Sequence, residues 1–123
     1  MNKIELQNRA KAFNVEVINL TLLFPKNTAA FEISKQIIRS AGSVGANCRA
    51  LARAKSTDDF INKLAIIIEE ADESLYWLEI IQEIKLIENT VKIDALIKEA
   101  NELTAIFVAI SKTTKINKAN QKS

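Results

Sequence analysis

A row of basic residues in the second quarter of the chain has the residue types and the spacing needed to bind anions. At 100° per residue, Lys35, Arg39, Arg49 and Arg53 fall near one line along a helix, and Lys55 follows just beyond them. A guanidinium group binds phosphate as a two-pronged fork, and an ammonium group binds it as a point charge. The row therefore indicates contact with the phosphate backbone of RNA or DNA.

Small residues lie in the middle of the same stretch, "IIRSAGSVGANCRALARAKS", which holds both glycines of the chain. The apolar repeat continues in phase through Gly42 and Gly45, which predicts that both lie inside a helix. Their lack of a side chain would let a neighbouring group approach the helix backbone closely. The close neighbour could be another helix or a phosphate backbone. Ser40 and Asn47 flank the apolar side, where they could bond to a backbone carbonyl or cross-link helices.

An acidic face on the following segment supports two other hypotheses. It complements the basic row, so the two faces could meet between subunits and recruit a protein partner instead of nucleic acid. Alternatively, Glu70 with Glu73 and the pair at 99 and 102 could hold Mg²⁺, as in all-helical nucleotide pyrophosphohydrolases. Solvated acidic faces are far commoner than such sites, so we expect no enzyme. The face consists of Glu69, Asp72, Glu73, Glu79 and Glu83.

The composition limits the chemistry further. The chain has 123 residues, no histidine and a single cysteine, Cys48, so it lacks the usual ligands of zinc and cannot form an internal disulfide. We expect no metal and no cofactor. Charged residues interrupt every apolar stretch, so neither a signal peptide nor a membrane span is predicted, and the cytoplasm is the expected location.

Four amphipathic segments must position these residues. With 48% hydrophobic residues, two glycines and one proline, the chain is predicted to be all-α, as one antiparallel up-down-up-down four-helix bundle. Asn27 and Ser56 have the positions of helix caps. We predict helices at about residues 3–24, 28–54, 57–87 and 91–112, with apolar stripes over residues 6–24, 33–51, 60–78 and 93–110.

The charges are sorted along the chain. Residues 1–55 carry nine Lys or Arg and three Glu, and residues 56–111 carry four Lys and twelve Asp or Glu. Residues 112–123 are predicted to form a flexible basic tail that attracts phosphate. Its four lysines are Lys112, Lys115, Lys118 and Lys122.

The third helix carries more apolar side chains than one stripe can bury. A surplus of this kind indicates contact between subunits, so we expect a homo-oligomer. The residues outside its main stripe are Ile66, Tyr76, Trp77, Ile80 and Ile84.

Residues 37–81 resemble the four-helix-bundle proteins of the ribosomal S23, or 23S rRNA intervening-sequence, family. The resemblance lies in "RSAGSVGANCRALARAKSTDDF" and, further along, in "EEADESLYWLE". Members were named from reading frames inside intervening sequences of bacterial large-subunit ribosomal RNA genes, and a related branch accompanies the reverse transcriptases of diversity-generating retroelements. The resemblance implies a bacterial bundle that assembles into a ring-like homopentamer, and it favours nucleic acid as the partner.

Overall fold

The computed structural model describes residues 1–122 and contains four α-helices in that range. Helix α1 spans Lys3–Thr21, α2 spans Thr28–Ala50, α3 spans Thr57–Glu83 and α4 spans Thr90–Lys122. A short 3₁₀ turn, Leu51–Arg53, leads from α2 towards α3. Each helix packs along the next one, and α4 also contacts α1. The prediction of an all-α four-helix bundle is confirmed, and residues 1–122 contain no β-strand.

Side-chain caps fix where the helices begin. Asn27 Oδ1 accepts a hydrogen bond from the backbone N–H of Ala30 at 2.8 Å, and Ser56 Oγ accepts one from Asp59 at 3.0 Å. Both caps satisfy a backbone donor that the first helical turn leaves without a partner. The Asp59 carboxylate accepts from the backbone N–H of Lys55 at 2.9 Å. The connection between α2 and α3 is thus held by local hydrogen bonds on both sides.

Helix α3 ends at Glu83, earlier than the predicted end near residue 87. The cause is Lys85, whose φ of 53° is left-handed. The backbone N–H of Lys85 bonds to the carbonyl of Gln82, and that of Leu86 reaches back to Ile81 at 3.1 Å. This pair of bonds is the Schellman arrangement, in which a left-handed residue closes the helix, and glycine usually takes that position.

Helix α4 continues to Lys122, well beyond the predicted end near residue 112. Residues 112–122 contain neither glycine nor proline, so nothing in this stretch ends the helix. The Thr114 hydroxyl donates to the carbonyl of Ile110 at 2.7 Å, and the Lys118 ammonium group pairs with the Asp58 carboxylate at the start of α3. Ser123, the last residue of the predicted tail, lies outside the described residues.

The core follows the predicted apolar stripes. Their central members are buried, while Phe24, Leu51, Phe60 and others at the margins are half-buried against them. Two polar side chains enter this core between α2 and α3. Ser74 Oγ lies 2.8 Å from Ser40 Oγ and 2.9 Å from the carbonyl oxygen of Glu70, and Ser40 Oγ donates to the Ile37 carbonyl at 3.3 Å, so both buried hydroxyls have partners. Ser40 therefore cross-links two helices.

Candidate nucleic-acid interface

In the N-terminal part of the predicted basic row, Arg39 already pairs with acidic residues of the same chain. Arg39 on α2 reaches two carboxylates on α3: Nη1 lies 2.9 Å from Glu70 Oε2, and Nη2 pairs with Glu73. Trp77 Nε1 also donates to Glu73 Oε2 at 3.2 Å. The pairing between basic and acidic residues that could have occurred between subunits thus occurs inside one subunit at Arg39, and both ends of this guanidinium group already bind carboxylates.

Lys35, one turn before Arg39, is also engaged. Its ammonium group lies 3.3 Å from the Glu32 carboxylate and 4.9 Å from the centre of the Phe31 ring. Both contacts are on the surface, where an ion pair between neighbouring helical residues stabilises the fold only slightly. Lys35 therefore remains able to exchange Glu32 for another anion, unlike Arg39 with its two carboxylates.

The C-terminal members of the row form no ion pairs within the chain. Arg49 and Arg53 are exposed, and neither side chain forms a hydrogen bond or an ion pair with the other described residues. Lys55 is exposed as well. Its backbone N–H bonds to the Asp59 carboxylate, and its ammonium group acts on that carboxylate electrostatically without forming an ion pair. Three of the five predicted contact residues therefore form no side-chain hydrogen bond or ion pair, and they lie together where α2 ends.

The fold adds further cations to this end of the molecule. Lys11 of α1 and Arg49 of α2 line one groove, and Lys3 lies with Leu51 beside the end of α2. Lys115 and Lys118 of α4 lie beside the start of α3. Because the helices are antiparallel, the start of α1, the end of α2 and the end of α4 meet. We call this surface the basic end; it consists of Lys3, Lys11, Arg49, Arg53, Lys55, Lys112, Lys115 and Lys118.

The acidic residues near the basic end are partly neutralised. Lys63 Nζ lies 2.8 Å from Asp59 Oδ1, and Asp58 pairs with Lys118. The pKa of Asp59 is held below its ordinary value, first by the hydrogen bond from Lys63 and then by the backbone N–H of Lys55. The remaining lysines and arginines therefore keep an excess of positive charge. Sequence reasoning missed Lys3 and Lys11, which the antiparallel order of the helices would have placed here.

The two glycines border the same groove, between α1 and α2. A Cβ added to Gly42 would lie 4.0 Å from the nearest Asn14 atoms, and one added to Gly45 would lie 3.6 Å from the Ala10 carbonyl oxygen. Both are ordinary van der Waals distances, so packing inside the subunit does not require glycine at either position. Asn47 bonds only within α2, where Nδ2 donates to the Ser43 carbonyl at 2.9 Å.

We expect Gly45→Ala to raise the free energy of unfolding by about 0.5–1 kcal/mol, because alanine restricts the unfolded chain and the added methyl group has room. Thermal or urea denaturation of the purified protein measures the change. Ala46→Gly, at an exposed neighbouring position of α2, is the matched control and should lower stability by a similar amount. A loss of stability in Gly45→Ala would show that α1 cannot accept the methyl group.

Acid should destabilise the fold, because the pKa of Glu73 is also lowered, mainly by the hydrogen bond from Arg39. Below about pH 4.5 the carboxylates of Glu73 and Asp59 become protonated in the unfolded chain while they stay ionised in the folded protein. The free energy of unfolding therefore falls as the pH falls through this window. Urea unfolding at a series of pH values should show this loss. Arg39→Ala should make the acid loss shallower; an unchanged acid loss in that variant would contradict the role given to Arg39.

The carboxylates considered for Mg²⁺ are held by arginine. Glu70 and Glu73 pair with Arg39, and Arg9 of α1 binds Glu99 and Glu102 of α4, with Nη2 2.6 Å from Glu99 Oε1. Across residues 1–122, no group of three or more His, Cys, Asp or Glu side chains could hold a metal ion. The geometry gives the pyrophosphohydrolase hypothesis no support.

Cys48 offers no accessible chemistry. It is buried in the core, and this burial raises the pKa of its thiol to about 11. The thiol is therefore protonated at neutral pH, and a protonated thiol is a poor nucleophile.

In the part of the chain that the structure describes, none of the helices is both long enough and apolar enough to cross a membrane.

Fold and site together define an all-α four-helix bundle with a cluster of basic side chains at one end, several of which form no ion pair with the described residues. The chain belongs to the family of 23S rRNA-intervening sequence proteins, whose family model matches residues 2–109. A crystal structure of a protein of unknown function from the S23 ribosomal protein family of Bacteroides thetaiotaomicron VPI-5482 is similar. It shares 33% sequence identity, with a TM-score of 0.81, over 91% of this chain and 99% of that one. No curated protein matches the sequence.

Proposed function

We propose that the protein binds nucleic acid, RNA or DNA, through the phosphate backbone and has no catalytic activity. The observation that carries the proposal is the cluster of Arg49, Arg53 and Lys55, whose side chains form no hydrogen bond or ion pair with the described residues and which are joined by Lys3 and Lys11 from α1. Unpaired cations from several elements on one surface are typical of sites that neutralise phosphates. The cytoplasm, where such partners are found, is the corresponding location.

Binding of this kind is directed to the backbone and not to the bases. Among the described residues, the aromatic side chains that are well exposed are Phe31 and Tyr76, and both lie outside the basic end. Base stacking needs aromatic platforms between the cations. Without them, phosphate contacts set affinity and orientation, and little sequence preference is expected.

The proposal includes a homo-oligomer, with a ring of five subunits as the family resemblance implies. Ile66 and Tyr76 of α3 and Ile84 just after its end remain 43–54% exposed, and Phe31 and Ile38 of α2 are exposed as well. These apolar side chains suit contacts between subunits. Because Phe31, Ile38, Tyr76 and Ile84 lie in the half of the bundle opposite the basic end, an assembly that buries them would leave the cations free and repeat them around the ring.

A scaffold protein that recruits a protein partner is the alternative. The observation that favours it is the exposed acidic face of α3, which keeps four carboxylates outside the pairs with Arg39. If subunits assemble by joining this face to the basic end of a neighbour, light scattering should show smaller particles as the salt concentration rises. A nucleic-acid-binding ring held by apolar contacts should keep its mass. The four residues are Glu69, Asp72, Glu79 and Glu83.

Lysine acetylation of the protein, with and without bound nucleic acid, locates the interface directly. Bound RNA hairpin or duplex DNA should protect the lysines of the basic end from acetylation, as read by mass spectrometry. Lys26, Lys85 and Lys92, near the opposite connections of the bundle, are internal controls and should stay reactive. Equal protection at both ends, or protection of the control lysines alone, would overturn the assignment.

A further inference from the structure

A small apolar cavity lies at the basic end, where the core is not fully covered. It has a volume of about 160 Å³ and lies between the start of α1, the end of α2 with its 3₁₀ turn, the start of α3, and α4. Leu51, Phe60 and Ile110 line it and are only half-buried, so apolar surface of the core remains open here. The apolar residues of the lining are Leu6, Cys48, Leu51, Ala52, Phe60 and Ile110.

The apolar walls decide what kind of group fills this cavity. Water gains little where the walls offer it no polar partner, whereas a hydrocarbon group of matching size gains dispersion contacts with them. Apolar cavities of about 150 Å³ lined by Leu, Ile and Phe admit a hydrocarbon of about six carbon atoms. The cavity therefore accepts a short alkyl chain or a small ring.

Two hydrogen-bond donors lie at the rim of the cavity, Lys3 and Gln7, which are one turn apart on α1. Lys3 is exposed and Gln7 is half-buried, and neither side chain forms a hydrogen bond or an ion pair with the other described residues. An ammonium group and an amide N–H match the two oxygens of a carboxylate. Arg53, directly after Ala52 of the lining, adds positive charge to the surrounding surface and favours an anionic head group.

We propose that this cavity binds a small amphipathic carboxylate, such as a saturated fatty acid of about six carbon atoms. Its alkyl chain fills the apolar part, and its carboxylate accepts hydrogen bonds from Lys3 and Gln7 at the rim. Apolar walls with a few polar groups that fix orientation are the usual composition of a small-molecule site. This ligand is distinct from nucleic acid, and its binding does not require the proposed function.

Hexanoate is the probe, and methyl NMR of the ¹³C-labelled protein at physiological salt locates it. The methyl signals of Leu6, Leu51 and Ile110 should shift during the titration, with a dissociation constant on the order of 1 mM for so small a ligand. The methyl signals of Leu20 and Leu78, which are buried in the other half of the core, should not move.

A series of ligands separates the apolar contact from the charge. Each buried methylene group should raise the affinity about fourfold, so hexanoate should bind roughly fifteenfold more tightly than butanoate, and acetate should leave the methyl signals unchanged. 1-Hexanol has the same number of carbon atoms without the charge. It should bind on the order of fivefold more weakly than hexanoate, because it lacks the charge-assisted hydrogen bonds at the rim.

Two variants test the rim, each with a matched control. Lys3→Gln should lower the affinity for hexanoate to that for hexanol and leave the affinity for hexanol unchanged, whereas Lys92→Gln, near the opposite connection of the bundle, should change neither. Ala52→Leu places a larger side chain at the rim and should abolish the binding of both ligands. Ala65→Leu, at an exposed position of α3, should bind both like the wild type. Thermal denaturation checks that each variant folds.

Binding of acetate as tight as that of hexanoate would overturn the proposal, because the charge of the basic end alone would then attract the anion. Equal affinities of the wild-type protein for hexanol and hexanoate would also overturn it, since the rim would then not select a carboxylate. Shifts confined to methyl groups away from the cavity, or the absence of any shift, would contradict the site itself. None of these results would affect the proposed binding of nucleic acid.

Discussion

Replacing Arg49 and Arg53 together by alanine is expected to weaken binding to RNA or duplex DNA by roughly tenfold or more at moderate salt. Both guanidinium groups are exposed and lack partners among the described residues, so their charges are available to phosphate. Each lost phosphate contact also reduces the dependence of log affinity on log salt by about one unit. The double variant should therefore show a slope smaller by about two, as measured by anisotropy titrations at several salt concentrations.

Two variants serve as controls for this result. Lys85→Ala with Lys92→Ala removes the same amount of charge near the opposite end of the bundle and should leave both affinity and slope close to those of the wild type. Arg39→Ala should also change the slope little, because Glu70 and Glu73 already bind that guanidinium group. An equal loss of affinity in all three variants would mean that net charge, and not the basic end, attracts the nucleic acid.

Phe107→Ala is expected to lower the free energy of unfolding by about 3–5 kcal/mol, which is the usual loss for a buried phenylalanine. Phe107 is the largest fully buried side chain of the core, on the part of α4 that packs against α3. Removing the ring leaves a cavity that surrounding helices fill only in part. Domains of this size are stable by about 5–15 kcal/mol, so the variant should be close to unfolding. Urea denaturation measures the change.

Val108→Ala is the matched control on the same helix. Its side chain is 45% exposed, so truncation removes little buried surface, and the expected change stays within about 0.5 kcal/mol. Similar losses in the two variants would contradict the assigned orientation of α4. Nucleic-acid affinity of folded Phe107→Ala should equal that of the wild type, because the ring lies inside the bundle and away from the cations.

Much of the fold is accessible from periodicity and local chemistry. Apolar residues at helical spacing identified the buried faces, and Asn27 and Ser56 marked two helix starts, because these side chains satisfy the free amides of a first turn. The helix ends were harder to predict. A left-handed lysine at position 85 ends α3, and local sequence rules expect glycine there. In residues 112–122, basic and polar composition suggested a tail, whereas the absence of helix breakers allowed α4 to continue.

The candidate site was only partly predictable because it depends on pairing between helices. Periodicity places Arg39 and Arg49 on one face of α2, but it gives no means to see that only Arg39 reaches carboxylates of α3. The contribution of Lys3 and Lys11 follows from the antiparallel arrangement and not from any motif.

The salt dependence of nucleic-acid binding by the wild-type protein tests the central claim most directly. Affinity for a labelled RNA hairpin and for duplex DNA is measured from low to physiological salt. If the basic end neutralises phosphates, log affinity should fall linearly with log salt, with a slope between about −3 and −6. A slope near zero, or no binding even at the lowest salt, would contradict the claim and direct attention to protein partners.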